Sequence, residues 1–150
     1  MYCTLENAPA EIMACSFVIK RLYEKIMSPI LAGNELPRIE MEILMFLYNN
    51  PEYNTATAIV EEKGYTKSHV STALKHLEAI HYISKHHSDN NRKTFYLQVE
   101  EKAMPLIRQG QLYQQQFAQI LNEGISREEL ATAWRVIEKM AENASKVVEA

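Results

Sequence analysis

The chain has 150 residues, of which 47% are hydrophobic and only nine are glycine or proline, so disordered and fibrous proteins are excluded. This length suffices for one domain with a core or for one subunit of an intertwined dimer. No apolar run approaches the roughly 18 residues of a membrane span, and the first residues lack the segments of a signal peptide. We therefore expect a cytoplasmic protein without membrane contact. The two cysteines, Cys3 and Cys15, show no zinc-binding or CxxC spacing, which favours plain thiols.

The net charge of −3 is unevenly distributed along the chain. Residues 63–93 include five lysines and one arginine against two acidic residues, and they contain all five histidines. The remaining residues include ten basic and 17 acidic side chains. Such asymmetry attracts phosphate to one face while the rest of the surface repels it. A chance cluster on a solvated surface is the alternative interpretation.

Long amphipathic helices are predicted at both ends of the chain. Apolar residues recur at helical spacing over 9–33, and a second long helix is predicted from about residue 100 to 122. Gly124 ends that helix, and Ser126 with Glu129 forms a capping box that opens the last one. Because these helices present more apolar surface than a small domain can cover, we expect 9–33 and 100–150 to be the dimerisation helices of a homodimer.

Residues 36–99 are predicted to form a compact lobe with a helix-turn-helix and a hairpin. Leu36-Pro37 opens an apolar central helix, Asn54 or Thr55 caps a short helix that ends at Gly64, and Thr66 caps the next helix. Strands are expected at 82–87 and 94–99, joined by a six-residue turn. The predicted fold is therefore mainly α with a small β-hairpin wing, a winged helix-turn-helix core flanked by N- and C-terminal dimerisation helices.

The helix that follows Thr66 has one apolar face and an opposite face of small polar and basic groups. Small polar side chains permit close approach to base edges, and lysine meets phosphates. The basic hairpin turn suits the minor groove or the DNA backbone, although charged turns are often only solvated. The predicted contacts with double-stranded DNA are Thr66, Lys67, Ser68, His69, Ser71, Thr72, Lys75, His76, Asp89, Arg92 and Lys93.

The order of these elements resembles the MarR family of winged-helix regulators over nearly the whole chain. The best local matches are Leu36-Pro37, Gly64-Tyr65-Thr66-Lys67-Ser68, Leu77-Glu78, Asp89 to Arg92, and Ser126 to Leu130. The resemblance implies a homodimer that binds a palindromic operator and represses transcription until a small molecule or oxidation releases it. The chain departs from the family at His81, where glycine is usual, so His81 is expected to adopt a left-handed turn.

Two kinds of effector response are possible. A small aromatic effector would fit between the dimerisation helices and the DNA-binding lobe, although a methionine and aromatic stripe at helical spacing is more often ordinary core. A redox-sensing regulator based on Cys15 is an alternative, but Lys20 is its only cationic neighbour in sequence, and we expect a buried thiol. The candidate effector pocket is lined by Tyr23, Met27, Tyr113, Phe117 and Trp134.

Catalysis and metal binding find little support in the sequence. It contains no phosphate-binding glycine loop, HExxH motif or nucleophile elbow, and its single aspartate is Asp89, so we expect no enzyme and no cofactor. His69 and His76 lie seven residues apart without further ligands, so no metal site is predicted. The remaining rival is a winged-helix protein–protein interaction module without DNA binding, against which Lys67 and Lys75 count.

Overall fold

The structure is a computed structural model that describes residues 8–88 and 91–148, except the side chains of 8–10, 88 and 91–93. Within these residues the chain forms six α-helices and one two-stranded antiparallel sheet, which confirms the predicted fold class. The elements in chain order are α1 (Ala8–Asn34), α2 (Arg38–Asn49), α3 (Ala56–Lys63), α4 (Lys67–Ala79), β1 (Ile83–Ser88), β2 (Asn91–Val99), a 3-10 turn (Glu101–Ala103), α5 (Met104–Leu121) and α6 (Arg127–Val148).

The chain divides into two compact units, residues 1–114 and 115–150, with the boundary inside α5. The first unit contains a hydrophobic core centred on α2, as the apolar run of that helix predicted. Met41, Ile43 and Leu44 of α2 are fully buried, and α3, α4 and α5 each add a fully buried side chain. These three are Ile59, Leu77 and Ile107.

Both helices of the predicted helix-turn-helix begin at the expected threonines. The hydroxyl oxygen of Thr55 accepts a hydrogen bond from the Ala58 amide at 3.2 Å, and that of Thr66 accepts one from the His69 amide at 3.2 Å. Gly64 ends α3 with a φ of 67°, a left-handed conformation that glycine adopts without steric cost. Thr55 and Gly64 therefore set the two ends of α3, and Thr66 sets the start of α4. Each threonine cap contributes about 1 kcal/mol to stability.

The turn after α4 is a complete Schellman motif with His81 in the left-handed region. Its φ is 62°, as the resemblance predicted for this position. The amide of His81 donates to the Glu78 carbonyl at 3.0 Å, and the amide of Tyr82 donates to the Leu77 carbonyl at 2.9 Å. This turn redirects the chain from α4 into β1, and it therefore determines where the hairpin begins.

The hairpin differs from its prediction in the extent of its strands and the length of its turn. The strands extend to Ser88 and Asn91, so the expected six-residue turn over 88–93 is wrong. His87 pairs with Phe95, but Ser88 pairs with Asn91, so β2 accommodates three residues between these partners within a register irregularity. Polar, basic residues predicted a loop there, whereas backbone pairing with β1 keeps them in the strand. The amide of Leu97 donates to the Asn54 carbonyl at 2.8 Å and ties β2 to the segment before α3.

Much of the apolar surface of α1 is exposed. Among its described side chains only Ile26, Met27 and Ile30 are buried, whereas Phe17 is 67% exposed. Cys15 is also exposed, so the expectation of a buried thiol is wrong for the single chain, because none of the described residues of the first unit buries that part of α1.

The second unit contains α6, which has no buried residue. Its start is the predicted capping box: the Ser126 amide donates to the Glu129 carboxylate at 2.8 Å, and the Glu129 amide donates to the Ser126 hydroxyl at 3.2 Å. The Ser126 amide, followed by the Ser126 hydroxyl, donates to the Glu129 carboxylate and so holds the pKa of Glu129 below its ordinary value. In the part of the chain that the structure describes, no helix combines the length and apolarity that a membrane span needs.

Candidate nucleic-acid interface

The predicted DNA contacts on α4 form one exposed face. They lie opposite Val70, Ala73, Leu74 and Leu77, which pack into the core with at most 4% exposure. The apolar and polar residues of α4 therefore separate as the helical periodicity predicted. The eight exposed residues are Thr66, Lys67, Ser68, His69, Ser71, Thr72, Lys75 and His76.

This face carries positive charge without a compensating carboxylate in its own sequence. Residues 66–76 contain no Asp or Glu. Within the described residues, neither Lys67 nor Lys75 forms an ion pair. Glu78, the one acidic residue of α4, is paired with Lys85 of β1 at 2.5 Å. A polyanion approaching α4 therefore meets lysines and short hydroxyl side chains on that helix, and the nearby acidic side chain is Glu61 of α3, which lines the same cleft as Lys67 and Lys75.

A cleft of about 630 Å³ borders the same face, between α3, α4 and the hairpin. It leaves one side of α4 uncovered, so the side chains of Lys67, Ser71 and Lys75 are accessible there. The apolar part of its lining consists of Ala56, Val60, Val70, Leu74, Phe95 and Leu97.

His76 differs from the other predicted contacts because one edge of its ring is already engaged. Its Nδ1 donates to both carboxylate oxygens of Glu40 on α2, at distances of 2.9 and 2.8 Å. Glu40 is 4% exposed and is the only buried charged residue in the part of the chain that the structure describes. Only the Nε2 edge of His76 is left for another partner. This pair was not predicted from the sequence, where Glu40 and Glu42 of α2 both precede the apolar run and nothing local distinguishes the one that becomes buried.

A second polar network contacts the start of α4. The Tyr65 hydroxyl donates to the Glu42 carboxylate, whose other oxygen accepts from Arg38 Nε at 2.6 Å. Arg38 Nη1 also donates to Glu24 of α1 at 2.6 Å. Burial of the hydroxyl, followed by its hydrogen bond to Glu42, raises the pKa of Tyr65, and the two carboxylate partners raise the pKa of Arg38. Burial followed by the Glu42 charge also raises the pKa of Tyr23.

The predicted wing contacts are only partly located. Asp89 lies outside the described residues, and Arg92 and Lys93 belong to β2 while their side chains lie outside what the structure describes. Next to them along β2, the Phe95 ring packs against His87 with a centroid distance of 4.2 Å.

The comparisons with known proteins give a clear result for structures only. No family model matches the sequence, and the search among curated proteins found no match. The transcriptional regulator SlyA has a TM-score of 0.76 and 21% identity, covering 92% of this chain and 96% of its own. A Listeria monocytogenes MarR-family regulator complexed with a 26mer DNA has a TM-score of 0.75 and 20% identity, and the match covers 97% of this chain and 91% of that regulator. Staphylococcus aureus MarR in complex with salicylate and kanamycin has a TM-score of 0.74 and 21% identity, and the match covers 94% of this chain and 95% of that protein.

The chain has the MarR-type winged-helix fold. In this MarR-type fold α3 and α4 are the helix-turn-helix, and β1 and β2 are the wing. The similar structures are those of transcriptional regulators, not of enzymes.

The candidate effector residues are divided between the two units. In the first unit Met27 is buried in the core, and Tyr23 and Tyr113 are half-buried against it. In the second unit Phe117 is half-buried, and Trp134 is 65% exposed on α6. A pocket formed by all five stays a prediction. Among the described residues there is no group of three or more His, Cys, Asp or Glu side chains that could hold a metal ion.

Proposed function

We propose that this chain is a cytoplasmic DNA-binding transcriptional regulator, a repressor that binds a palindromic operator as a homodimer and is released by a small-molecule effector. The observation that carries the proposal is the exposed face of α4, where lysines and small hydroxyl side chains occur together without a carboxylate over residues 66–76. A protein-binding helix would more often present apolar and aromatic groups, because lysine and serine are depleted in protein–protein interfaces. The MarR-type fold, which the chain shares with a regulator complexed with DNA, supports the same conclusion.

In the proposed complex α4 enters the major groove. Ser68, Ser71 and Thr72 are short enough to reach base edges, and Lys67 and Lys75 meet the flanking phosphates. The wing residues Asp89, Arg92 and Lys93 complete the contact in the adjacent minor groove or at the backbone. Because one α4 reads half a site, a two-fold dimer would place two of these helices about 34 Å apart on a palindrome.

Uncovered apolar surface supports the homodimer. On α1, Met13, Phe17 and Val18 are 75%, 67% and 66% exposed. On α6, Trp134 and Ile137 are 65% and 51% exposed, and they belong to an apolar seam with helical spacing. Contiguous apolar surface of this kind usually marks an interface, and a second copy of the chain offers the same two helices in return.

The effector proposal rests on the aromatic side chains Tyr23, Tyr113, Phe117 and Trp134 together with Met27. Staphylococcus aureus MarR, which has the same fold, was solved with salicylate, an aromatic carboxylate, and with kanamycin. An aromatic effector is therefore a chemically reasonable ligand for this chain. It would act by favouring an arrangement of the dimer whose two α4 helices no longer match the operator.

The purified full-length chain should select sequences from a pool of random duplexes. We expect a palindromic consensus whose half-sites lie one helical turn apart. Lys75→Ala should weaken binding, whereas Lys139→Ala on exposed α6 is the matched control and should not. Failure to bind any duplex at low salt would reject the proposal and favour a protein–protein interaction module.

The exposure of Cys15 keeps a redox-sensing regulator as the second candidate. In that case oxidant would release DNA from the native chain and not from Cys15→Ser. Under the primary proposal both chains respond equally to the effector, and oxidant leaves DNA binding of the native chain unchanged.

A further inference from the structure

The helix α2 contacts α4 through two carboxylates near opposite ends of α4. Glu42 accepts the Tyr65 hydroxyl, one residue before the Thr66 cap of α4. Glu40 accepts His76 Nδ1, in the last turn of α4. The two attachment points are eleven residues apart in sequence, and the helix between them, from Lys67 to His76, is about 14 Å long at 1.5 Å per residue. Two such points restrict both rotation and tilt of α4 relative to α2.

Apolar packing alone does not fix a helix this closely. Val70, Leu74 and Leu77 bury α4 against the core, but burial of apolar area is non-directional and tolerates small rotations. Hydrogen bonds to carboxylates are directional and are stronger than neutral ones, so they favour one orientation. The burial of Glu40 adds to this, because an unpartnered carboxylate at 4% exposure would carry a large desolvation cost.

We propose that Tyr65 and His76 are positioning residues that hold α4 at both ends through Glu42 and Glu40 and thereby set the orientation in which α4 reads DNA. This inference rests on the proposed DNA binding and gives His76 a role other than the predicted base or phosphate contact. The attachment at Tyr65 extends through Arg38 to Glu24, so α1 contacts the same network.

The N-terminal attachment is tested with Tyr65→Phe, which removes only the hydroxyl. Tyr53→Phe, in the loop between α2 and α3, is the matched control. The measured quantity is the ratio of affinities for the selected operator and for a scrambled duplex. We expect Tyr65→Phe to lower this ratio about two- to tenfold, the effect of one lost hydrogen bond. Affinity for the scrambled duplex should be unchanged, because phosphate attraction does not require one helix orientation.

The C-terminal attachment is tested with His76→Ala and His76→Asn. The asparagine amide nitrogen lies where Nδ1 lies in histidine, so His76→Asn can still donate to Glu40 but has no counterpart of Nε2. Positioning predicts that His76→Ala lowers the specificity ratio and that His76→Asn restores it. If His76→Asn is as poor as His76→Ala, the Nε2 edge contacts DNA and the inference is wrong for His76.

Two further results would overturn the inference. One is that Tyr65→Phe behaves like Tyr53→Phe. The other is that the specificity ratio and the non-specific affinity fall together with the melting temperature, since that pattern indicates only lost stability.

If the wild-type chain binds no duplex, the proposed function fails, and amide exchange of the free chain decides the inference. Tyr65→Phe should then speed exchange of the His69 and Val70 amides, whose bonds to Thr66 form the first turn of α4. His76→Ala should speed exchange of the Ile80 amide in the last turn. Unchanged exchange in both variants would overturn it.

Discussion

Replacing His81 with glycine should stabilise the chain, because the backbone there is left-handed. The φ of His81 is 62°, and its amide and the next one make both hydrogen bonds of a Schellman motif. The left-handed region costs an L-residue about 1–2 kcal/mol, and histidine is among the more tolerant types, so we take the lower value. Glycine removes this cost but loses more entropy on folding, about 0.5–1 kcal/mol.

The net gain for His81→Gly is therefore up to about 0.5 kcal/mol in the free energy of unfolding, which agrees in sign with the preference of this capping position for glycine. At 150 residues, 1 kcal/mol corresponds to about 2–4 °C in melting temperature. We expect a rise of up to about 2 °C, measured by circular dichroism at one fixed chain concentration, since a dimer melts in a concentration-dependent way.

His81→Ala is the matched control, because it also removes the imidazole but keeps a Cβ. It should melt at or below the wild-type temperature. If the Gly and Ala variants have the same melting temperature, the left-handed backbone at position 81 does not distinguish them, and the strain argument is refuted.

Three further predictions follow from the charges and the exposed surfaces. Lys67→Ala and Lys75→Ala should each reduce the slope of log affinity against log salt by about one; fluorescence anisotropy over a salt series measures this, and an unchanged slope excludes a phosphate contact. Ile137→Glu should shift a dimer to monomer in analytical ultracentrifugation, and a persistent dimer would remove the α6 seam from the interface. Because folding raises the pKa of Tyr65 above its ordinary 10.0, its contribution to stability is present below pH 10.0 and is lost as pH rises through the folded value. Tyr65→Phe should therefore lose stability less steeply than wild type above pH 10.0, and equal slopes in urea unfolding would contradict this.

The sequence by itself determined the helix-turn-helix and most of the exposed face of α4. Thr55, Gly64 and Thr66 act on amides and dihedral angles within three residues, so their roles could be predicted locally. The apolar period of α4 decides which side enters the core, and the polar side is then exposed. The left-handed turn at His81 was expected from the family resemblance at that position.

Other features depended on what packs against what, which only the tertiary structure decided. His76 and Glu40 are 36 residues apart, and only the crossing of α4 over α2 makes them partners. Cys15 is exposed because no described residue of the first unit packs over its part of α1, which helical periodicity could not reveal. The length of β2 depended on its pairing with β1, since inter-strand hydrogen bonds prevailed over the turn preference of a polar, basic segment. Local chemistry thus determined where the helices begin and end, and long-range contacts determined the partners and the exposure of side chains such as His76 and Cys15.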